Sequence, residues 1–402
     1  MKLLFIHPNF PSQFVHLAAA LARTREHTLV ALSQHAGPAP EGVQLRQYQL
    51  LRQPAGSVDP IVAGHERAVM HAQACAVAAL QLKKEGFAPD IIVAHPGWGD
   101  AMFIKDVFPQ ARLVVYCEYY YSGWEQDADF DPELPPLSLE QRCFIRMKNT
   151  ASLHSLQIAD AAIAPTAWQK STFPAWAQDK ISVIHDGIDL ARLRQPADAA
   201  LVLAAHGDRP EVRFNAGDEV VSYVARNLEP VRGFQVFMRM LPELLYRRPK
   251  AHAIIVGGDH LSYSHPAPHG ASWKQHMLAE VGAELDMARV HFTGALPYRH
   301  YLGVLNVSKV HSYWTTPFVL SWSFLEAAAN GVPMLASDTA PVREFAESLG
   351  VSTLPFYDHH AFAAAAAEQL AQPPAPRRIP NMAALDVGAC TRRHIALLNS
   401  LL

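Results

Sequence analysis

The sequence predicts an α/β protein built as two consecutive Rossmann-like domains. Three observations predict it. Short apolar runs alternate with stretches of helical spacing from Leu3 to Ile184. The alternation stops at Asp186-Gly187-Ile188-Asp189, and an Ala-rich stretch with Pro196 and Pro210 follows. A second alternation then begins at Val220. Strands that alternate with helices imply parallel sheets covered on both faces.

In the first series, Leu3–Ile6 is a short apolar run ended by turn residues, which reads as a buried parallel strand. Phe14, Leu17, Ala18, Leu21 and Ala22 then fall at helical spacing. Leu29–Leu32 is the next strand. Ile61, His65, Ala68, Val69, Ala72 and Ala76 mark one face of a longer helix. Ile91–Ala94, Leu113–Tyr116, Ala161–Ala164 and Ile181–Ile184 continue the strands. In the second series the strands are Val220–Ala225, His252–Val256, Val290–Phe292, Val310–Tyr313 and Pro333–Ala336. Phe234 to Leu245 and Phe324–Ala329 are helical, and Asn330-Gly331 stops the latter. Asp259 to Ser272 reads as a long loop, of the kind that is often functional. A tail with Ile395, Leu398, Leu401 and Leu402 is helical again. The expected domains are residues 1–190, a linker at 191–217, residues 218–375, and a helical tail at 376–402 packing back on the first domain.

Length and composition agree with this. The 402 residues suit two domains, and 50% are hydrophobic, enough for two cores. A net charge of −3, with acidic and basic residues nearly balanced, argues against nonspecific nucleic-acid binding while leaving a local basic patch open, and no nucleic-acid partner is expected. Cys75, Cys117, Cys143 and Cys390 have no paired spacing and read as small buried hydrophobes in a reducing cytosol. The opening apolar run is too short for a signal peptide. No run approaches the ~20 apolar residues of a membrane span. A cytoplasmic protein is expected, with peripheral contact to the inner membrane face left open, as is the oligomeric state.

Ligands of open parallel sheets bind beyond the carboxyl ends of the strands. The loops there carry the candidate residues. Arg226 and Arg232 flank a strand-to-helix turn and can clamp a diphosphate by charge-assisted bonds. Pro317 to Glu326 leads into a helix that begins near Ser321, Trp322 and Ser323. A helix start presents free N–H groups suited to phosphate. Glu326, about one turn inside, can accept bonds from a pair of ribose hydroxyls; the plainer reading is a carboxylate complementing the helix dipole. His7, Asn9 and Gln13 lie on the first strand-to-helix loop, and His95 and Glu118 follow buried strands. Tyr120 and Trp124 belong to an aromatic cluster on the same rim, where core packing is the plainer reading. His65, Glu66 and His71 do not have the H-E-x-x-H spacing of a metal helix. His260, His265 and His269 lack ligand periodicity, and no metal site is expected. No G-x-G-x-x-G follows the first strand, and no G-x-x-x-x-G-K-[ST] occurs.

The second half resembles the donor domain of glycosyltransferase family 4, which has the GT-B fold. The matching residues are Tyr223-Val224-Ala225-Arg226 with Arg232-Gly233, Ile254-Ile255-Val256-Gly257-Gly258, Val290-His291-Phe292-Thr293-Gly294, and Leu325-Glu326-Ala327-Ala328-Ala329-Asn330-Gly331-Val332-Pro333. Ser337-Asp338 and Pro341-Val342-Arg343-Glu344 follow at the family's spacing, and Val183 to Asp189 resembles its segment entering the linker. The resemblance implies two Rossmann-like domains facing across a cleft, with a carboxyl-terminal helix returning to the first. It implies a retaining transfer without a metal or bound cofactor. The donor would be a nucleoside-diphosphate sugar, a UDP-sugar first, with dTDP- and GDP-sugars as alternatives.

By the same resemblance Arg226 and Arg232 match the family's basic pair at the diphosphate, and the pair would act in catalysis by stabilising the leaving group. Glu326 matches the glutamate associated with the ribose, and Gly294 the glycine before the base-binding loop. Gly258, Ser321, Trp322 and Ser323 complete the expected donor side. The family's other glutamate, eight positions before Glu326, is replaced by Phe318. Pro317-Phe318-Val319-Leu320-Ser321-Trp322-Ser323 resembles a bacterial subgroup that also has an opening like Phe5 to Phe14. Phe318 suggests a less polar sugar face, such as a deoxysugar would need. His95 and Glu118 are candidate catalytic residues, and His7, Asn9, Gln13, Tyr120 and Trp124 candidate acceptor contacts. The acceptor class stays open: polysaccharide, lipid, protein or small metabolite. A nucleotide-sugar 2-epimerase and a noncatalytic sugar- or protein-binding member are the rival readings.

Overall fold

A computed structural model describes residues 1–35, 37–193, 200–205 and 210–402. The chain divides into two compact units. The first is Met1–Gly187 together with Ala383–Leu402, and the second is Ile188–Met382. Each unit is a parallel sheet covered by helices, as the alternating pattern predicts.

In the first unit the strands are β1 (Lys2–Ile6), β2 (Thr28–Ser33), β3 (Val43–Gln47), β4 (Ile91–Ala94), β5 (Arg112–Tyr116), β6 (Ala161–Ala164) and β7 (Ile181–Val183). Their spatial order is β3-β2-β1-β4-β5-β6-β7, and every pairing is parallel. All residues of β4 and β6 are buried, because helices cover both faces of the sheet. One core lies on each face. Phe5, Phe10, Phe14, Leu17 and Leu21 fill one, and Leu4, Ile6, Cys75, Ile92, Leu113 and Phe173 are in the other. The short strand β3 escapes the sequence reading because its residues are mostly exposed and do not form an apolar run.

The helix Val387–Asn399 belongs to the first unit and lies against the helix Val15–Thr24. Leu398 is fully buried in the first unit's core. The Asp386 carboxylate caps this helix by accepting the Gly388 N–H at 2.9 Å. Gly187 permits the close approach. Its φ is +95°, and a β-carbon there would stand 2.6 Å from the Val387 Cα.

The second unit has β10 (Val220–Asn227), β11 (His252–Gly258), β12 (Val290–Gly294), β13 (Val310–Tyr313), β14 (Met334–Ser337) and β15 (Ser352–Leu354), preceded by β8 (Ala200–Leu203) and β9 (Val212–Asn215). The sheet runs β12-β11-β10-β13-β14-β15, again parallel. Its apolar interior includes fully buried Phe234, Phe237 and Phe324, each contributing about 1.5–3 kcal/mol by burial. The stretch 191–217, expected as an irregular linker, contains an antiparallel hairpin of β8 and β9. Leu201 and Phe214 anchor it, packed with Val220, Ile254 and Val304. Pro196 lies outside the described residues.

Replacing Gly187 with Ala should lower the stability of the first unit by about 2 kcal/mol or more, since both φ and the Val387 backbone oppose a side chain. Thermal unfolding followed by circular dichroism measures this; an unchanged midpoint would contradict the placement of the tail.

Candidate functional site

Each sheet reverses its winding direction once, between β1 and β4 in the first and between β10 and β13 in the second. Loops leaving neighbouring strands there turn to opposite faces and open a crevice at the carboxyl ends. His7 and His95 stand at the first of these places, and Arg226, Arg232 and the residues after β13 at the second.

In the first unit, His7 directly follows β1 and His95 directly follows β4. Their rings are 5.3 Å apart, and the Trp98 indole lies 4.9 and 4.8 Å from them. Each imidazole uses Nδ1 to accept a backbone N–H two residues on, from Asn9 at 2.9 Å and from Gly97 at 3.1 Å. In the neutral ring the proton therefore sits on Nε2. His185, after β7, does the same with Gly187 at 3.0 Å. Burial first, and then the neighbouring His95, push the His7 pKa down to about 3, so His7 is a neutral donor.

The His95 Nε2 faces Glu118 Oε2 at 3.3 Å, and Gln13 donates to Glu118 Oε1 at 2.8 Å. Burial alone would raise the Glu118 carboxyl. Bonding and charge from His95, with help from Gln13 and His7, outweigh it and hold the group ionised below the usual range. His7 Nε2 and Gln13 Oε1 are buried without a hydrogen bond of good geometry. The cluster thus offers a carboxylate beside preset N–H donors, which suits a hydroxyl-bearing ligand.

The remaining rim residues divide. Asn9 is exposed, with its backbone N–H tied to His7. Tyr120 packs its ring against Phe173 at 5.6 Å, on the core side of the strand end. Trp124 is exposed and carries the Arg142 guanidinium 4.1 Å above its ring. Trp98, on the loop after β4, is not singled out by any sequence motif; its place three residues beyond His95 is the available signal.

In the second unit, β10 slips in register between Val224 and Asn227, which delivers Arg226 to the surface. Arg226 donates to the Tyr263 hydroxyl at 3.2 Å. Gly233 follows Arg232 with φ +65°, and a β-carbon there would strike Trp314 at 2.3 Å. This tight turn lets Arg232 reach across to the end of β13. Its Nη1 donates to Thr315 Oγ1 at 2.7 Å and to the Val319 carbonyl at 2.9 Å.

Between the arginines stands Glu229, buried at 1% exposure. Its Oε2 accepts the backbone N–H groups of Ser262, Tyr263 and Ser264 at 3.1, 3.0 and 3.0 Å. The Asp259–Ser272 segment is therefore fastened at its centre. The loop is visible in the sequence by its composition, but its clamp is not; Glu229, between Arg226 and Arg232, is the one signal the sequence offers for it. Phe318 is buried, its ring 5.0 Å from Tyr263 and 5.5 Å from the Arg232 guanidinium carbon.

The helix Trp322–Asn330 starts beside this cluster. Ser321 is its N-cap, and both its N–H and hydroxyl donate to the Tyr313 hydroxyl at 3.0 Å. Ser321 Oγ is also 2.7 Å from Ser323 Oγ. Trp322 and Glu326 are the first and fifth residues of this helix, so Glu326 lies beyond the first turn. Tyr298 donates to Glu326 Oε1 at 2.9 Å, and Arg192 stacks on the Tyr298 ring at 3.8 Å. Burial raises the Glu326 carboxyl above its usual range, and the Tyr298 bond offsets this only in part. Gly258 ends β11 against Asn227, where a β-carbon would stand 2.5 Å from Oδ1. Gly294 ends β12 at an exposed turn with φ +69°.

Residues 25–193 match the family model of the glycosyl transferase family 4 group, and residues 218–372 match that of the glycosyl transferases group 1. Both models describe glycosyl transferase domains. No curated protein matches the sequence. Among solved structures, the chain is similar to the α,α-trehalose-phosphate synthase (UDP-forming) from Burkholderia vietnamiensis, with TM-score 0.67, 15% identity and 100% of each chain covered. It is similar to sucrose-phosphate synthase from Thermosynechococcus elongatus, with TM-score 0.62, 15% identity, and 100% and 99% covered. A UDP-GlcNAc 2-epimerase from Methanocaldococcus jannaschii shares the fold at TM-score 0.54 and 13% identity, with 100% of each chain covered. These likenesses establish the GT-B fold.

Among the described residues, no helix is long and apolar enough to cross a membrane, and no group of three or more His, Cys, Asp or Glu is placed to hold a metal. The four cysteines are free.

A raised carboxyl pKa in the folded state costs stability as pH climbs through it, because the unfolded chain ionises more readily. Glu326→Gln should therefore raise the melting temperature at pH 8. The gain should fade below the ordinary glutamate range, where both states are protonated. A lower melting temperature at pH 8 in differential scanning calorimetry would contradict the assignment.

Proposed function

We propose that this protein is a retaining, metal-independent glycosyltransferase that moves a sugar from a nucleoside-diphosphate sugar to an acceptor hydroxyl. The single observation that carries the reading is the cluster at the β10/β13 reversal. Arg226 and Arg232 flank the turn after β10, Arg232 bonds Thr315 just beyond β13, and the helix that carries Glu326 follows at Trp322, inside the stretch that matches a group 1 transferase model. Arg226 and Arg232 bind the diphosphate and stabilise it as it leaves. The amides of the helix starting at Trp322 add to this. Glu326 exchanges its Tyr298 partner for the ribose hydroxyls. A UDP-sugar is the first choice of donor, with dTDP- and GDP-sugars as alternatives. At position 318 a phenyl ring replaces a carboxylate, which favours a donor sugar with fewer hydroxyls, such as a deoxysugar.

In the first domain the ionised Glu118 accepts the hydroxyl proton of the acceptor as a hydrogen bond. The Nε2–H groups of His7 and His95 donate to neighbouring oxygens, and Gln13 fixes the carboxylate. The leaving phosphate takes the acceptor proton in a front-face transfer, so none of these residues needs to act as a full base. An epimerase reading uses the same fold, but both family models are those of transferases.

Thermal-shift screening against UDP-, dTDP- and GDP-sugars should find one nucleotide that stabilises the protein, and turnover should transfer its sugar. Conversion of the donor without an acceptor would favour the epimerase. Glu326→Ala should weaken donor binding by about 10–100-fold, the loss of charge-assisted hydrogen bonds, with an unaltered circular dichroism spectrum. Equal affinity in that folded variant would remove Glu326 from the site.

A further inference from the structure

We propose that Tyr263 is a positioning residue for Arg226, and that the Glu229-clamped loop around it is a built wall of the diphosphate site. This rests on the donor reading above and adds a residue that the transferase motifs do not contain.

Arg226 is exposed at the end of a slipped strand, where a long side chain would ordinarily sample many rotamers. The Tyr263 hydroxyl accepts its Nη1 at 3.2 Å. Tyr263 is itself held at both ends. Its backbone N–H is bound by Glu229 Oε2 at 3.0 Å, and its ring leans on Phe318 at 5.0 Å. Phe318 is buried and also lies under the Arg232 guanidinium. The two arginines are thus joined through one aromatic pair, in the order Arg226, Tyr263, Phe318, Arg232.

The choice of a phenol matters electrostatically. A carboxylate in its place would hold Arg226 equally well but would neutralise it before the ligand arrived. A neutral hydroxyl fixes the guanidinium and leaves its charge available to an anion. Preorganisation of this kind lowers the ordering cost of binding. It also gives Phe318 a role: it is the floor on which Tyr263 stands.

The test is a double-mutant cycle read by isothermal titration calorimetry. Wild type, Tyr263→Phe, Arg226→Gln and the double variant are each titrated with UDP, dTDP and GDP. Tyr263→Phe keeps the ring on Phe318 and removes only the hydroxyl. It should weaken the tightest diphosphate about 3–10-fold in the wild-type background. In the Arg226→Gln background the same change should alter affinity less than about twofold, because the partner is gone. Unchanged binding by Tyr263→Phe overturns the inference, as does an equal loss in both backgrounds, since either outcome leaves the donor site intact without a Tyr263–Arg226 coupling. A wild type that binds none of the three diphosphates overturns the donor reading itself.

Discussion

Parallel sheets of this type are ordered by one topological constraint. A crossover must be right-handed, so the face a helix covers depends on whether the next strand is added to the left or to the right. Where the direction of addition reverses, two adjacent strand ends are left without a helix between them. In the first unit those ends belong to β1 and β4, and they carry His7 and His95. In the second they belong to β10 and β13, and they carry the arginine turn and the Tyr313–Thr315 segment that receives Arg232. These are the positions where a fold of this type leaves room for a ligand, and the candidate residues named above stand at them.

Polar groups brought to these ends need partners, and each unit supplies them by a different device. The first uses a repeated local one. His7, His95 and His185 each accept the N–H two residues ahead, so three strand ends present imidazoles of known tautomer. The second uses a distant one. Glu229 collects three amides from a segment more than thirty residues away and converts an apparently irregular loop into a fixed wall. A buried carboxylate without those amides would be costly, so the clamp and the loop stabilise each other.

The fold was largely legible because parallel strands covered on both faces are unbroken apolar runs. Leu3–Ile6, Ile91–Ala94 and Ala161–Ala164 illustrate this, and each coincides with or lies within an observed strand. β3 and the β8–β9 hairpin were not legible, since half-exposed strands carry no such run. The arginine pair, the helix start at Ser321 and Glu326 could be read from motif spacing. Tyr263 and Glu229 could not be linked in that way, because the bond joining them depends on how a loop without periodicity returns to the sheet. Phe318 was visible as a departure from a pattern, but only its packing against Tyr263 and Arg232 shows what the ring supports.

The tail at Ala383–Leu402 has a consequence for biosynthesis. The first unit takes residues from both sides of the second, so the ribosome must deliver all of Ile188–Met382 before the helix Val387–Asn399 emerges. Until then the apolar surface that receives Leu398 stays uncovered, and the glycine at 187 has no helix to meet. The second domain is complete in sequence while the first still lacks its final helix. Vectorial synthesis therefore closes the amino-terminal domain last, the reverse of the order in which the two domains are begun.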